Sequence, residues 1–172
     1  MPLLSVLAMT VIVVASNWLV QYPINQLLTW GAITYPFSFL VTDLTTRLHG
    51  PGEARRVVWV GFALAVTLSM WLATPRIALA SGTAFLAGQL LDISVFQRLR
   101  AGSWWRAPLV SSTIGSTVDT ALFFSLAFAG TSLPWPTLAL GDLGVKLVLA
   151  VLALAPFRAA LSLAAAGTTA RS

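Results

Sequence analysis

The chain has 172 residues, 58% of them hydrophobic and only 9% charged, with a mean hydropathy of +0.87; soluble domains carry about 25% charged residues, so the composition is that of an integral membrane protein. The net charge of +5 and the pI near 11.2 do not point to nucleic acid, because the basic residues fall in short turns between apolar runs. With no cysteine and one histidine, His49, the chain lacks the residues for disulfides, attached haem or a thiolate or imidazole metal centre, and no cofactor is expected.

Six apolar segments follow one another, and the expected fold is an all-α integral membrane protein of six transmembrane helices in a single domain. Ten-residue alternating strands, the mark of a barrel, are not seen. The first segment, 3–22, has no basic lead-in and is read as a span rather than a cleaved signal. It carries Asn17, Trp18 and Gln21 and stops at Pro23. The second, 33–48, holds Tyr35, Phe37 and Asp43. Its 16 residues reach about 24 Å as a helix, short of the roughly 30 Å hydrocarbon layer, and Pro36 interrupts it. Short, proline-interrupted segments point to transporter binding sites. The third segment, 57–74, ends at Pro75. In the fourth, 77–99, Gln89 and Asp92 are three apart and share one face. In the fifth, 109–129, Ser112, Ser116, Asp119 and Thr120 share a broad face beside Gly115. The sixth, 137–157, contains Asp142 and Lys146, the only lysine.

Of ten basic residues, eight (Arg47, Arg55, Arg56, Arg98, Arg100, Arg106, Arg158 and Arg171) fall on one side of a six-span chain. The positive-inside rule then places both termini in the cytoplasm. The spans leave no room for a soluble catalytic or nucleotide-binding domain, and no P-loop is present.

Four of the five acidic residues, Asp43, Asp92, Asp119 and Asp142, lie inside apolar runs. Carboxylates at membrane depth are costly and mark pathways for polar solutes. Structural roles compete at each position. Asp43 can pair with Arg47 at i,i+4. Gln89 and Asp92 can bond across a helix interface. Asp142 can neutralise Lys146, or Lys146 can reach Asp119 or Asp92 on another helix. Trp104, Trp105 and Trp135 fit an aromatic belt at the membrane surface, whereas Trp18, Tyr35 and Phe37 lie near polar residues and can stack on a flat substrate.

Residues 15–21 (ASNWLVQ), then Thr29-Trp30-Gly31-Ala32, Tyr35-Pro36-Phe37-Ser38-Phe39-Leu40-Val41-Thr42-Asp43-Leu44, Gly88-Gln89-Leu90-Leu91-Asp92, Val95-Phe96-Gln97-Arg98-Leu99 and Asp119-Thr120-Ala121-Leu122-Phe123-Phe124 occur in that order. Together they closely resemble the queuosine precursor transporter family of the bacterial inner membrane, once grouped as vitamin uptake transporters. The family often carries Asn where Ser116 stands here. The resemblance implies uptake of 7-cyano-7-deazaguanine, with 7-aminomethyl-7-deazaguanine as a second substrate, for salvage into the queuosine of tRNA. It also implies a fold similar to the six-helix substrate-binding subunits of energy-coupling vitamin transporters. The implied partners are a small 7-deazaguanine and the lipid bilayer, with no nucleic acid, and a second copy of the chain is compatible with six short spans.

A guanine-like ring shows a ring N–H and an amine side by side, which one carboxylate accepts together. Asp119 or Asp92 is the expected acceptor, Gln89 or Asn17 the donor to the ring carbonyl, and Tyr35, Phe37 or Trp18 the stacking wall. Transport is expected to be facilitated or proton-coupled. The alternatives are a binding subunit needing an ATPase-driven partner, or another purine-like or vitamin-like cargo. An enzyme is not expected, since no acid–base or metal constellation is visible.

Overall fold

The computed structural model describes residues 2–19, 22, 24, 28, 30–72 and 74–169, and all secondary structure among them is helical. The helices are α1 (Leu3–Leu19), α2 (Trp30–Thr34), α3 (Phe37–His49), α4 (Pro51–Leu72), α5 (Pro75–Leu99), α6 (Arg106–Phe128) and α7 (Trp135–Thr169). The second expected span is therefore two pieces, α2 and α3. Pro36 offers no N–H and its ring clashes with the preceding turn, so the helix stops at Thr34 and restarts through bonds from Ser38 N to Tyr35 O and from Phe39 N to Pro36 O. α3 has 13 residues and reaches only about 20 Å. α4 to α7 each hold a stretch long and apolar enough to cross a bilayer, and α1 is a shorter apolar helix of 17 residues. The protein is a multi-pass membrane protein.

The short helix survives because other helices cover it. Contacts link α1 to α4, α4 to α5, α5 to α6, α6 to α7, α7 to α2 and α2 back to α1, and α3 touches α1, α4, α5, α6 and α7 from inside that ring. Interrupted backbone is tolerated at membrane depth only when protein surrounds it. Outward-facing side chains such as Leu79, Leu140, Val151 and Leu163 are apolar and exposed, a surface that suits lipid.

Turns follow from local chemistry. Gly50 adopts φ +88° after α3, and its N–H bonds Thr46 O; an L side chain rarely takes that conformation. Thr74 caps α5 by accepting from Ile77 N, with Pro75 at the first helical position. Arg76, the arginine that breaks the one-sided charge pattern, has a structural task. Its guanidinium donates to Leu126 O (2.9 Å) and Ala129 O (2.6 Å), satisfying carbonyls at the end of α6. Arg76→Ala is expected to cost about 1 kcal/mol, read as a drop of a few degrees in the melting temperature of the detergent-solubilised protein, with uptake little changed.

Candidate functional site

The interior of the bundle is polar in two tiers. The first is built on the break before α3, which leaves Tyr35 at the head of Pro36. The Tyr35 hydroxyl donates to Asp119 Oδ1 on α6 at 2.8 Å. The other oxygen of Asp119 accepts from Lys146 Nζ of α7 at 2.7 Å. The same ammonium lies 2.6 Å from Asp142 Oδ2 and donates to Thr120 Oγ1 at 2.9 Å, while Thr120 donates to Asp142 Oδ2 at 2.8 Å. Lys146 thus uses its three N–H bonds on three partners and also lies 5.4 Å from the centre of the Tyr35 ring. Both pairings expected for Lys146, the local one and the one across helices, are present at once. Two carboxyl groups thus share one ammonium.

The second tier lies two helical turns further along α3. Asp43 accepts from Ser111 Oγ (3.1 Å) and Ser112 Oγ (3.0 Å) of α6. The expected local pair with Arg47 is not what holds Asp43, because Arg47 Nη1 donates to Arg100 O at the end of α5. Asp92 on α5 adjoins Asp43 and is fully buried, yet neither of its oxygens has a hydrogen-bond partner among the described residues.

Glycines set the closeness of α5 and α6. A Cβ on Gly88 would lie 2.9 Å from Asp119 Cβ and 3.0 Å from Gly115 O, and one on Gly115 would lie 3.0 Å from Gly88 O and 3.2 Å from Asp92 Cβ. The segments Gly88-Gln89-Leu90-Leu91-Asp92 and Gly115-Ser116-Thr117-Val118-Asp119 therefore cross reciprocally, each aspartate beside the other helix's glycine.

Between α3, α6 and α7 runs a cleft lined on its polar side by Asp43, Ser112, Ser116 and Lys146, and on its apolar side by Pro36, Phe39, Leu40, Leu154 and Phe157 among others. The space open to a water-sized sphere is about 10 Å³, room for about one water. A bicyclic heterocycle would enter only if α7 moved away from α3.

Among the residues singled out from sequence, the fold brings Asp43, Ser116 and Lys146 to this cleft and sets Tyr35 and Asp119 directly behind Lys146. Asp92 stands behind Asp43. Gln89 is fully buried, donating to Ser38 Oγ at 2.8 Å and accepting from Thr42 Oγ1 at 2.6 Å, so its amide ties α5 to α3. Asn17 bonds Val13 O and accepts from Ser69 across to α4. Trp18 and Phe37 are exposed on the outside of the bundle, and Trp18 meets Tyr22 edge-on. Gln21 lies outside the described residues. The sequence reading passed over Ser38 and Thr42 as partners and Ser111 as a ligand of Asp43. The signal was the Ser38, Thr42, Thr46 series at four-residue spacing, which a helix places on one face.

The chain matches a family model described as "Putative vitamin uptake transporter" over residues 29–74 and 69–161. A Haemophilus influenzae protein named "Probable queuosine precursor transporter" is 35% identical over 186 residues, covering 84% of this chain and 79% of its own length. The Escherichia coli K12 protein named "Queuosine precursor transporter" is 35% identical over 176 residues with the same coverage. A Bacillus subtilis protein named "Probable queuosine precursor transporter" is 28% identical over 130 residues, 59% of this chain and 57% of its own. No solved structure gives a significant match.

Proposed function

The chain belongs to the vitamin uptake transporter family, whose members are transporters and not enzymes, and from that premise we propose that it takes up queuosine precursors, 7-cyano-7-deazaguanine foremost. The observation that carries this reading is the cleft in which one carboxylate, two hydroxyls and an ammonium meet apolar walls inside a multi-pass bundle. Asp43 is the carboxylate that faces the cleft, and it accepts the ring N–H and the adjacent amine together. Lys146, held by Asp119 and Asp142, donates to the ring carbonyl the N–H that otherwise goes to Thr120 Oγ1. Ser112 and Ser116 supply the remaining polar contacts, and Phe39, Leu40 and Phe157 wall the flat ring.

In this reading Asp119 and Tyr35 act through Lys146: they fix the ammonium and do not touch the solute. The end of the bundle that carries Arg47, Arg98 and Arg106 faces the cytoplasm of a bacterial inner membrane, as the positive-inside rule asks.

Uptake of 7-cyano-7-deazaguanine by the purified chain in proteoliposomes tests the assignment. The expected result is saturable uptake that excess guanine does not compete away. Tight binding without uptake would instead favour a subunit that needs an ATPase-driven partner, and neither binding nor uptake would mean a different cargo.

A further inference from the structure

Two walls of the cleft are held firmly and the third is not. α6 is fixed by its glycine crossing with α5, and α3 by the ring of helices around it. α7 rests on α6, α3 and α2 from outside, and 6% of its membrane-crossing stretch is buried, against 50% for α5 and 33% for α6. Among the described residues 135–155, Lys146 is the one buried side chain, and a Cβ on Gly141 or Gly144 would meet nothing within 4 Å. The outer face of this arm is apolar and exposed at Leu140, Val148 and Val151. Lipid flows aside from such a face, whereas packed protein does not.

Pro156 divides the arm from an anchored end. It offers no N–H to Leu152 O, which weakens the helix at that turn. Directly beyond it Phe157 is buried, edge-on to Phe96 of α5 at 6.2 Å between ring centres, and Arg158 lies over the Trp104 ring at 4.8 Å. Leu161 packs on the same cluster, as do Leu40 and Leu44 of α3.

Lys146 can leave α6 without stranding its charge. Its bonds to Asp119 and Thr120 cross to α6, but Asp142 stands four residues away on α7 itself and travels with it. Asp119 keeps the Tyr35 hydroxyl, and water enters beside it.

Resting on the uptake reading above, we propose that residues 135–155 of α7 are the gate of the cleft, swinging about Pro156 while Phe157 and Arg158 stay docked. A bend of about 20° acts over about 15 Å of helix at Lys146 and about 24 Å at Leu140, which moves them by about 5 Å and about 8 Å. The smaller of these exceeds the roughly 3.5 Å thickness of a flat ring. The mouth opens at the end of the bundle away from Arg158 and Trp104. The solute docks on Asp43 of the fixed wall, and reclosure brings Lys146 onto it. No covalent bond changes.

The chain has no cysteine, so introduced cysteine pairs carry spin labels without background. Leu79→Cys with Leu140→Cys reports the arm against α5, and Leu48→Cys with Leu163→Cys reports the end beyond Pro156 against α3; all four side chains are exposed. Distances are read in the reconstituted full chain with and without 7-cyano-7-deazaguanine. The first pair is expected to show two distances differing by up to about 8 Å, in proportions that the solute changes, and the second a single unchanged distance. Pro156→Ala restores the missing backbone bond and is expected to slow maximal uptake roughly fivefold, the equivalent of one helix hydrogen bond. Equal shifts in both pairs, or a maximal rate unaffected by Pro156→Ala, would overturn the hinge. A first pair that stays fixed while the labelled protein transports would overturn the gate and leave the uptake reading intact. Absence of solute binding and uptake by the wild-type chain would overturn the uptake reading and the gate with it.

Discussion

Lys146→Met is expected to abolish uptake and to destabilise the folded protein by about 3–5 kcal/mol, the cost of breaking a buried ion pair from one side. The ammonium is the group that holds the first tier together. Removing it leaves Asp119 facing only the Tyr35 hydroxyl and Asp142 only the Thr120 hydroxyl, with two negative charges unopposed. Asp119→Asn is the informative contrast. Its amide oxygen still accepts from Tyr35, and Lys146 keeps Asp142, so the variant should insert and fold with a loss of only about 1–2 kcal/mol. Its uptake should nevertheless fall by about a hundredfold, the equivalent of one charge-assisted contact of about 3 kcal/mol lost from the site. Thermal unfolding in detergent and initial uptake rates in proteoliposomes separate the two effects. Normal uptake by Asp119→Asn would remove Asp119 from the mechanism, and an undisturbed melting temperature in Lys146→Met would show the ion pair to be unimportant for the fold.

The second large effect is steric. Gly115→Val is expected to cost about 3 kcal/mol or more, because its Cβ would meet the Phe39 ring at 2.8 Å and Gly88 O at 3.0 Å. The ring can turn aside, but the carbonyl belongs to the facing helix and moves only if α5 and α6 separate. That separation also pulls Asp92 and Asp119 from their places, so solute uptake should disappear together with stability. The control is on α7, where a Cβ on Gly141 or Gly144 meets nothing within 4 Å. Gly144→Ala is expected to be neutral or stabilising by up to about 1 kcal/mol, through helix propensity alone. Equal loss of folded protein in both variants would mean that the α5–α6 crossing is not the tight point of the bundle.

Much of this architecture is legible along the chain. Apolar runs separated by arginine-bearing turns give the helices and their order, since each membrane helix must satisfy its own backbone and advertises its length in sequence. Pro36 marks the break in the second span for an equally local reason, a missing N–H. The site was legible only in its ingredients. Asp43 and Arg47 are four apart and look like partners, yet Asp43 turns to serines of α6 and Arg47 to a carbonyl of α5. Trp18 and Phe37 have the chemistry to stack on a ring, yet they face outward, because the helix break and the tilt of each helix decide which side meets the interior. Gln89 and Asp92 share a face, yet Gln89 is tied to α3 hydroxyls and Asp92 has no donor among the described residues.

The sequence by itself determined that the chain is a multi-pass helical membrane protein with carboxylates buried at cost, because hydropathy, length and proline act within a segment. Only the tertiary structure decided which carboxylates meet Lys146, which faces the cleft and which is buried away from both. Those relations are set by close helix crossings such as Gly88 on Gly115, where sub-ångström fit between residues far apart in sequence fixes the neighbours of each charge.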